Sequence, residues 1–142
     1  MIVWLTGQPG SGKTTIALEL MKTLSSTVHI DGDDLRDIFV NKDYSENGRR
    51  KNIERAQDIA LFLHRKGHTV LVSLVSPYKD QRDSFKTLAE VTEVYVHTSD
   101  IRGRENFHVP NYEPPTENFI DIDTTTETVE ESTNKLLNFI TL

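Results

Sequence analysis

Apolar residues in this chain fall into short continuous runs separated by stretches of helical period. The first run, Ile2-Val3-Trp4-Leu5-Thr6, has the length of a buried strand, and residues 15–21 change to the spacing of an amphipathic helix. The same succession returns along the chain. Residues 27–30 predict a second short strand. Residues 35–40 predict a helix with Leu35, Ile38 and Phe39 as its apolar members and Asp33 or Asp34 as its cap. A polar stretch, 41–48, leads into a long helix over 49–66 that carries Ile53, Ala56, Ala60 and Leu63 on one face and ends at Gly67. Residues 69–75 form the most apolar run and predict a central buried strand, closed by Ser76-Pro77-Tyr78. A helix over 79–90 and a strand over 93–97 make another unit. Residues 98–118 lack any period and contain Gly103, Pro110, Pro114 and Pro115, so they read as a loop, and a loop of that length in a small domain is more often functional than idle. A strand over 119–122 and a helix from Thr126, with Val129, Leu136, Leu137 and Ile140 on one stripe, end the pattern.

Strands alternating with helices imply the α/β class, with a parallel sheet flanked by helices. At 142 residues the chain has the length of one domain, 1–142, with a core of its own. Composition narrows the function classes. With no cysteine, disulfide staples, thiolate zinc sites and cysteine nucleophiles are excluded. The first apolar run is too short for a signal peptide or a membrane span, which leads us to expect a cytoplasmic protein with no membrane partner. A net charge of −6 lacks the electrostatic footprint of a nucleic-acid binder. Small anionic ligands remain compatible with it, provided the basic residues converge at one site.

That site is indicated where strand turns into helix. Gly7-Gln8-Pro9-Gly10-Ser11-Gly12-Lys13-Thr14 fits the phosphate-binding pattern GxxxxGK[ST]. Loop N–H groups and the positive end of the helix dipole make an anion site there. Lys13 can reach the β and γ phosphates, and the Thr14 hydroxyl can bind the accompanying Mg²⁺. The 69–75 run ends without an Asp, so the first carboxylates at a strand's carboxyl end are Asp31, Asp33 and Asp34 after the second strand. In an open parallel sheet that edge faces the ligand. One of them can serve a metal-bound water while another takes the proton of an attacking hydroxyl, although Asp and Gly are equally the residues of turns and caps. Arg49 and Asn52 are spaced i, i+3 on one helical face and, with Arg36, can grip an anion or a ribose; a solvated charged face is the plainer reading. Tyr44, Phe107 and Tyr112 fall in loops, where one or two can stack on a base. His29, His64, His68, His97 and His108 show no metal-ligand spacing.

Several segments together resemble the adenylylsulfate (APS) kinase family. They are Trp4-Leu5-Thr6-Gly7 running into the P-loop, Asp31-Gly32-Asp33-Asp34-Leu35-Arg36, Tyr44-Ser45 followed by Arg49 and Asn52-Ile53, Val72 to Tyr78 with Arg82, and Tyr112-Glu113-Pro114-Pro115. The resemblance spans nearly the whole chain in order. It implies a P-loop NTPase-type fold and transfer of the ATP γ-phosphate to the 3′-hydroxyl of APS. It further implies ATP and Mg²⁺ at Gly10, Ser11, Gly12, Lys13, Thr14 and Thr15, with Lys13 and Asp33 catalytic, Asp33 as the base, and Thr14 and Asp31 beside the metal. Acceptor contacts are implied for Asp33, Arg36, Arg49, Asn52, Val75 and Ser76. Tyr44 stands where the family usually has Phe, and Phe107 resembles its second base-stacking Phe. A homodimer is compatible with it.

One departure is visible. Relatives usually carry a longer, Lys-rich basic lid before Phe107, whereas here the stretch is only residues 98–106, with Arg102 or Arg104 as candidates to replace part of its charge. Two rivals therefore stay open at this level: an APS-kinase-like enzyme acting on another nucleotide, such as a cytidine diphosphate derivative in surface-sugar modification, and a nucleotide-binding protein without efficient catalysis.

Overall fold

Five parallel strands run side by side in the order β2-β3-β1-β4-β5 in the computed structural model of the protein, which describes residues 1–140. They are β1 (Ile2–Thr6), β2 (Thr27–Asp31), β3 (Thr69–Ser73), β4 (Val91–His97) and β5 (Ile120–Asp123). The helices between them are α1 (Lys13–Thr23), α2 (Gly32–Phe39), α3 (Glu46–Arg65), α4 (Lys79–Phe85) and α5 (Val129–Ile140). The expected α/β class and the parallel sheet flanked by helices are both present.

Side-chain alternation along the strands divides the interior in two. Ile2 and Trp4 of β1 pack with Val70, Val72, Leu35, Ile53, Ala56 and Ala60 under α2 and α3. Val3 and Leu5 face the other way and pack with Ile16, Leu20, Val94, Val96, Ile122 and Leu136 under α1 and α5. A strand covered on both faces is mostly apolar, and all five residues of β1 are buried, the one polar member, Thr6, with its hydroxyl hydrogen-bonded.

Element boundaries depart from the periodicity where capping decides them. The helix expected over 35–40 begins at Gly32, because Asp31, and not Asp33 or Asp34, is its cap; the Asp31 carboxylate accepts the Asp33 N–H at 3.4 Å. Of its three apolar members only Leu35 is buried, whereas Ile38 and Phe39 are exposed. The long helix begins at Glu46 and not at residue 49, capped by the Ser45 hydroxyl. The 69–75 run leaves the sheet after Ser73, and β3 lies between β2 and β1, so the middle strand is β1. The helix expected over 79–90 ends at Phe85. In α5, Leu136 is buried and Leu137 and Ile140 pack on the core, but Val129 falls off the stripe and is exposed. The 98–118 loop is as expected apart from one 3₁₀ turn, Glu105–Phe107.

Candidate active site

The P-loop turns at the carboxyl end of the middle strand, and two of its glycines have no substitute. A Cβ on Gly7 would lie 2.0 Å from the Val96 carbonyl oxygen. Gly10, at φ 82°, lets Arg104 approach to 3.1 Å of where its Cβ would be. Lys13, in the first turn of α1, is buried, and its Nζ donates to the carbonyls of Gly7 (2.8 Å) and Gln8 (2.9 Å). Burial, reinforced by the Arg104 cation, lowers its pKa to about 8.

A cavity of about 970 Å³ opens above this loop, and both groups of expected residues line it. They are Gly10, Gly12, Lys13, Thr14 and Thr15 of the P-loop and the start of α1, together with Asp31, Asp33, Arg36, Tyr44, Arg49, Asn52, Val75, Ser76 and Phe107. Ser11 is buried beneath the loop. Asn52 is buried, its Nδ2 donates to the Gly32 carbonyl at 3.3 Å, and its Oδ1 has no partner. An unpaired buried acceptor on a cavity wall calls for a donor from a ligand. The Arg49 guanidinium likewise has no hydrogen bond or ion pair among the described residues, whereas Arg36 is engaged: its Nη1 donates to the carbonyls of Asn41 and Asp43, both at 3.1 Å, and its guanidinium lies 4.0 Å from the centre of the Tyr44 ring. Tyr44 and Phe107 present exposed rings to the cavity. Tyr112 does not: its hydroxyl bonds the Thr6 hydroxyl at 2.7 Å and its ring stacks on Tyr95, so the stacking role read for it gives way to packing.

Oxygen donors suited to a hard cation meet at the same place. The Thr14 hydroxyl is exposed to the cavity, and Asp31, partly desolvated, has its pKa raised by burial. No group of three or more His, Cys, Asp or Glu that could hold a metal occurs among the described residues. The donor set therefore fits Mg²⁺ carried in with phosphate oxygens better than a cage built by the protein alone.

Three contributors carry no sequence signal. Gln8 exchanges two hydrogen bonds with Val109 and ties the long loop to the P-loop. Thr124 Oγ1 donates to the Ser11 carbonyl at 2.6 Å. His29, its pKa lowered by burial, bonds the Ser73 hydroxyl at 2.6 Å, behind Thr14. Arg102 does close on the P-loop, donating to the carbonyls of Gly10 (3.2 Å) and Ser11 (3.3 Å), while Arg104 sits 5.5 Å from the centre of the Phe107 ring.

Comparison with known proteins agrees with this arrangement. Residues 1–106 match the family described as adenylylsulphate kinase. The adenylyl-sulfate kinase of Oceanobacillus iheyensis is 31% identical over 166 residues, covering 98% of this chain and 83% of the relative. That of Rippkaea orientalis is 33% identical over 159 residues, covering 94% and 87%. Among solved structures, the Mycobacterium tuberculosis APS kinase CysC in complex with AMPPNP and APS superposes with a TM-score of 0.85 at 23% identity, covering 99% of this chain and 97% of that one.

Proposed function

Since the chain belongs to the adenylylsulphate kinase family, we propose that it transfers the γ-phosphoryl group of ATP to the 3′-hydroxyl of adenylyl sulfate. The observation that carries this reading is one cavity lined at once by a phosphate-binding loop, by two carboxylates and by an amide, a guanidinium and aromatic rings.

In the reaction, the Asp33 carboxylate takes the proton of the 3′-hydroxyl as its oxygen attacks the γ-phosphorus; the bond to the β–γ bridging oxygen breaks and ADP leaves. Lys13 exchanges its carbonyl partners for phosphate oxygens, where its charge offsets the negative charge that builds in the transition state. Thr14 and Asp31 would hold Mg²⁺, which would neutralise part of the charge on the phosphates. Arg49 and the unpaired Asn52 oxygen hold the acceptor, and Tyr44 and Phe107 flank its base. Arg102, bonded to the P-loop carbonyls, supplies the closure that a longer lid gives elsewhere, and Arg104 brings a second cation to the same opening. No helix among the described residues is long and apolar enough to cross a membrane, and with ATP as donor we place the reaction in the cytoplasm.

The test is turnover of purified enzyme with ATP, Mg²⁺ and either adenylyl sulfate or a cytidine diphosphate derivative, with the product identified by ³¹P NMR. A new 3′-phosphomonoester on adenylyl sulfate is expected. Preference for the cytidine nucleotide, or ADP release without an acceptor product, would overturn the assignment.

A further inference from the structure

Ser76 is held in the left-handed region at φ 39°, a conformation that a non-glycine residue keeps only when its surroundings enforce it. Three elements supply that enforcement. The Trp4 indole donates to the Ser76 hydroxyl at 2.9 Å, and that hydroxyl donates in turn to the Leu74 carbonyl at 3.3 Å. The Ser76 carbonyl accepts from Arg82 Nη1 at 2.7 Å and from Thr6 Oγ1 at 3.2 Å. The preceding carbonyl, of Val75, accepts from Thr6 Oγ1 at 2.7 Å and from the Gly7 N–H at 3.4 Å.

These bonds aim a donor. In a trans peptide the N–H points opposite to the carbonyl of the same unit, and no peptide bond here is cis. With the Val75 carbonyl turned toward Thr6 and Gly7, the Ser76 N–H is turned away from both, and Val75 and Ser76 both line the cavity. Ser76 is 2% exposed, and its N–H has no partner among the described residues. A buried N–H left unpaired is rare without a ligand to receive it.

Arg82 lies outside the cavity wall, yet it joins the pieces that set this geometry. Its Nε donates to Glu93 Oε2 at 2.8 Å, its Nη1 to Ser76 and its Nη2 to the Glu113 carbonyl, while Glu93 Oε1 takes Lys86 Nζ at 2.8 Å. The Arg82 and Glu93 side chains are each 1% exposed. Only a guanidinium has donors diverging widely enough to meet a carboxylate on β4, the Ser76 loop and the Tyr112-Glu113 segment at once.

Resting on the kinase reading above, we propose that Arg82 is a positioning residue for the acceptor: it fixes the Ser76 backbone so that the Ser76 N–H donates to a hydrogen-bond-accepting atom of the adenylyl sulfate. It touches neither nucleotide. Donor binding runs through α1 and is independent of it.

Arg82→Lys keeps a charge beside Glu93 but cannot reach all three partners. For a folded variant we expect the Kd for adenylyl sulfate, measured with ADP present, to rise by about tenfold or more, with the Kd for ADP within about twofold of wild type. Unchanged acceptor affinity, or equal losses for both ligands, would overturn the proposal. Amide exchange in the wild-type protein covers the case in which that variant does not fold. The Ser76 amide should exchange in the ADP complex and slow by about tenfold or more when adenylyl sulfate is added. Saturation by adenylyl sulfate with no slowing at Ser76 sinks the positioning role and leaves the kinase reading standing. Failure of wild-type enzyme to bind adenylyl sulfate at all removes both.

Discussion

The Gln8 side chain bonds the Val109 backbone in both directions: its Nε2 donates to the Val109 carbonyl at 2.9 Å and its Oε1 accepts the Val109 N–H at 2.8 Å. One amide thus does the work of a rung between two strands, in a place where no strand could pair. It joins the loop that grips phosphate to the segment that carries Phe107 two residues earlier. Gln8→Ala should lower stability by about 1–2 kcal/mol, the worth of two such bonds, and raise the acceptor KM while leaving that of ATP nearly unchanged. Denaturant melts and separate substrate titrations check both; an equal rise in the two KM values would deny the link to Phe107.

Lys13 makes nucleotide affinity depend on pH in a definite direction. Its pKa of about 8 in the free protein rises when phosphates occupy the loop, since their charge favours the ammonium. Below pH 8 the lysine is charged in both states and contributes no slope. Above it, binding takes up a proton, so ADP affinity should fall with rising pH by up to about tenfold per unit until the bound-state pKa is reached. Calorimetry in buffers of different ionisation enthalpy reads the proton uptake directly. Lys13→Arg, always charged, should flatten the profile, and a wild-type profile already flat to about pH 9.5 would contradict the lowered pKa.

Asp33 and Asp31 should separate kinetically. Asp33→Asn is expected to lower kcat by about two to four powers of ten, with ATP affinity held, because a base acts in the transition state. Asp31→Asn keeps a capping side chain for α2, so the helix should survive while the Mg²⁺ requirement rises. Exchanged phenotypes would reverse the two roles.

Asn52 offers a test of the acceptor wall. Removing its unpaired oxygen in Asn52→Ala also removes the 3.3 Å bond to Gly32, so a loss of about 1 kcal/mol in stability is expected alongside the lost acceptor affinity. Asn52→Asp keeps an acceptor oxygen but forfeits the donor to Gly32. Stronger acceptor binding in the alanine variant than in wild type would rule out a ligand contact at this position.

Much of this was legible in the chain because it depends on local chemistry. The P-loop residues announce themselves by spacing, and Arg49 and Asn52 by a shared helical face. Apolar period puts helix starts at residues 35 and 49 because it locates a buried stripe, whereas Asp31 and Ser45 set the first turn earlier by side-chain hydrogen bonds that carry no period. Tyr112 reads like Tyr44 in sequence, a loop aromatic, and only the position of Thr6 and Tyr95 makes it a packing residue. Gln8 and Thr124 act through partners 101 and 113 residues distant, and Arg82 joins Ser76, Glu93 and Glu113 at once, so no short window shows what they do.

Because successive residues of β1 look to opposite faces, the layer under α1 and α5, beneath the helix that carries Lys13 and Thr14, shares no side chain of that strand with the layer under α2 and α3, the helices that carry Asp33, Arg36, Arg49 and Asn52. Heritable change can then accumulate in one layer with little penalty in the other. A lineage built on this plan can drift toward a new acceptor by altering α2, α3 and the segment after β3 while its use of ATP stays intact, and grafting those segments between relatives should carry acceptor preference with them.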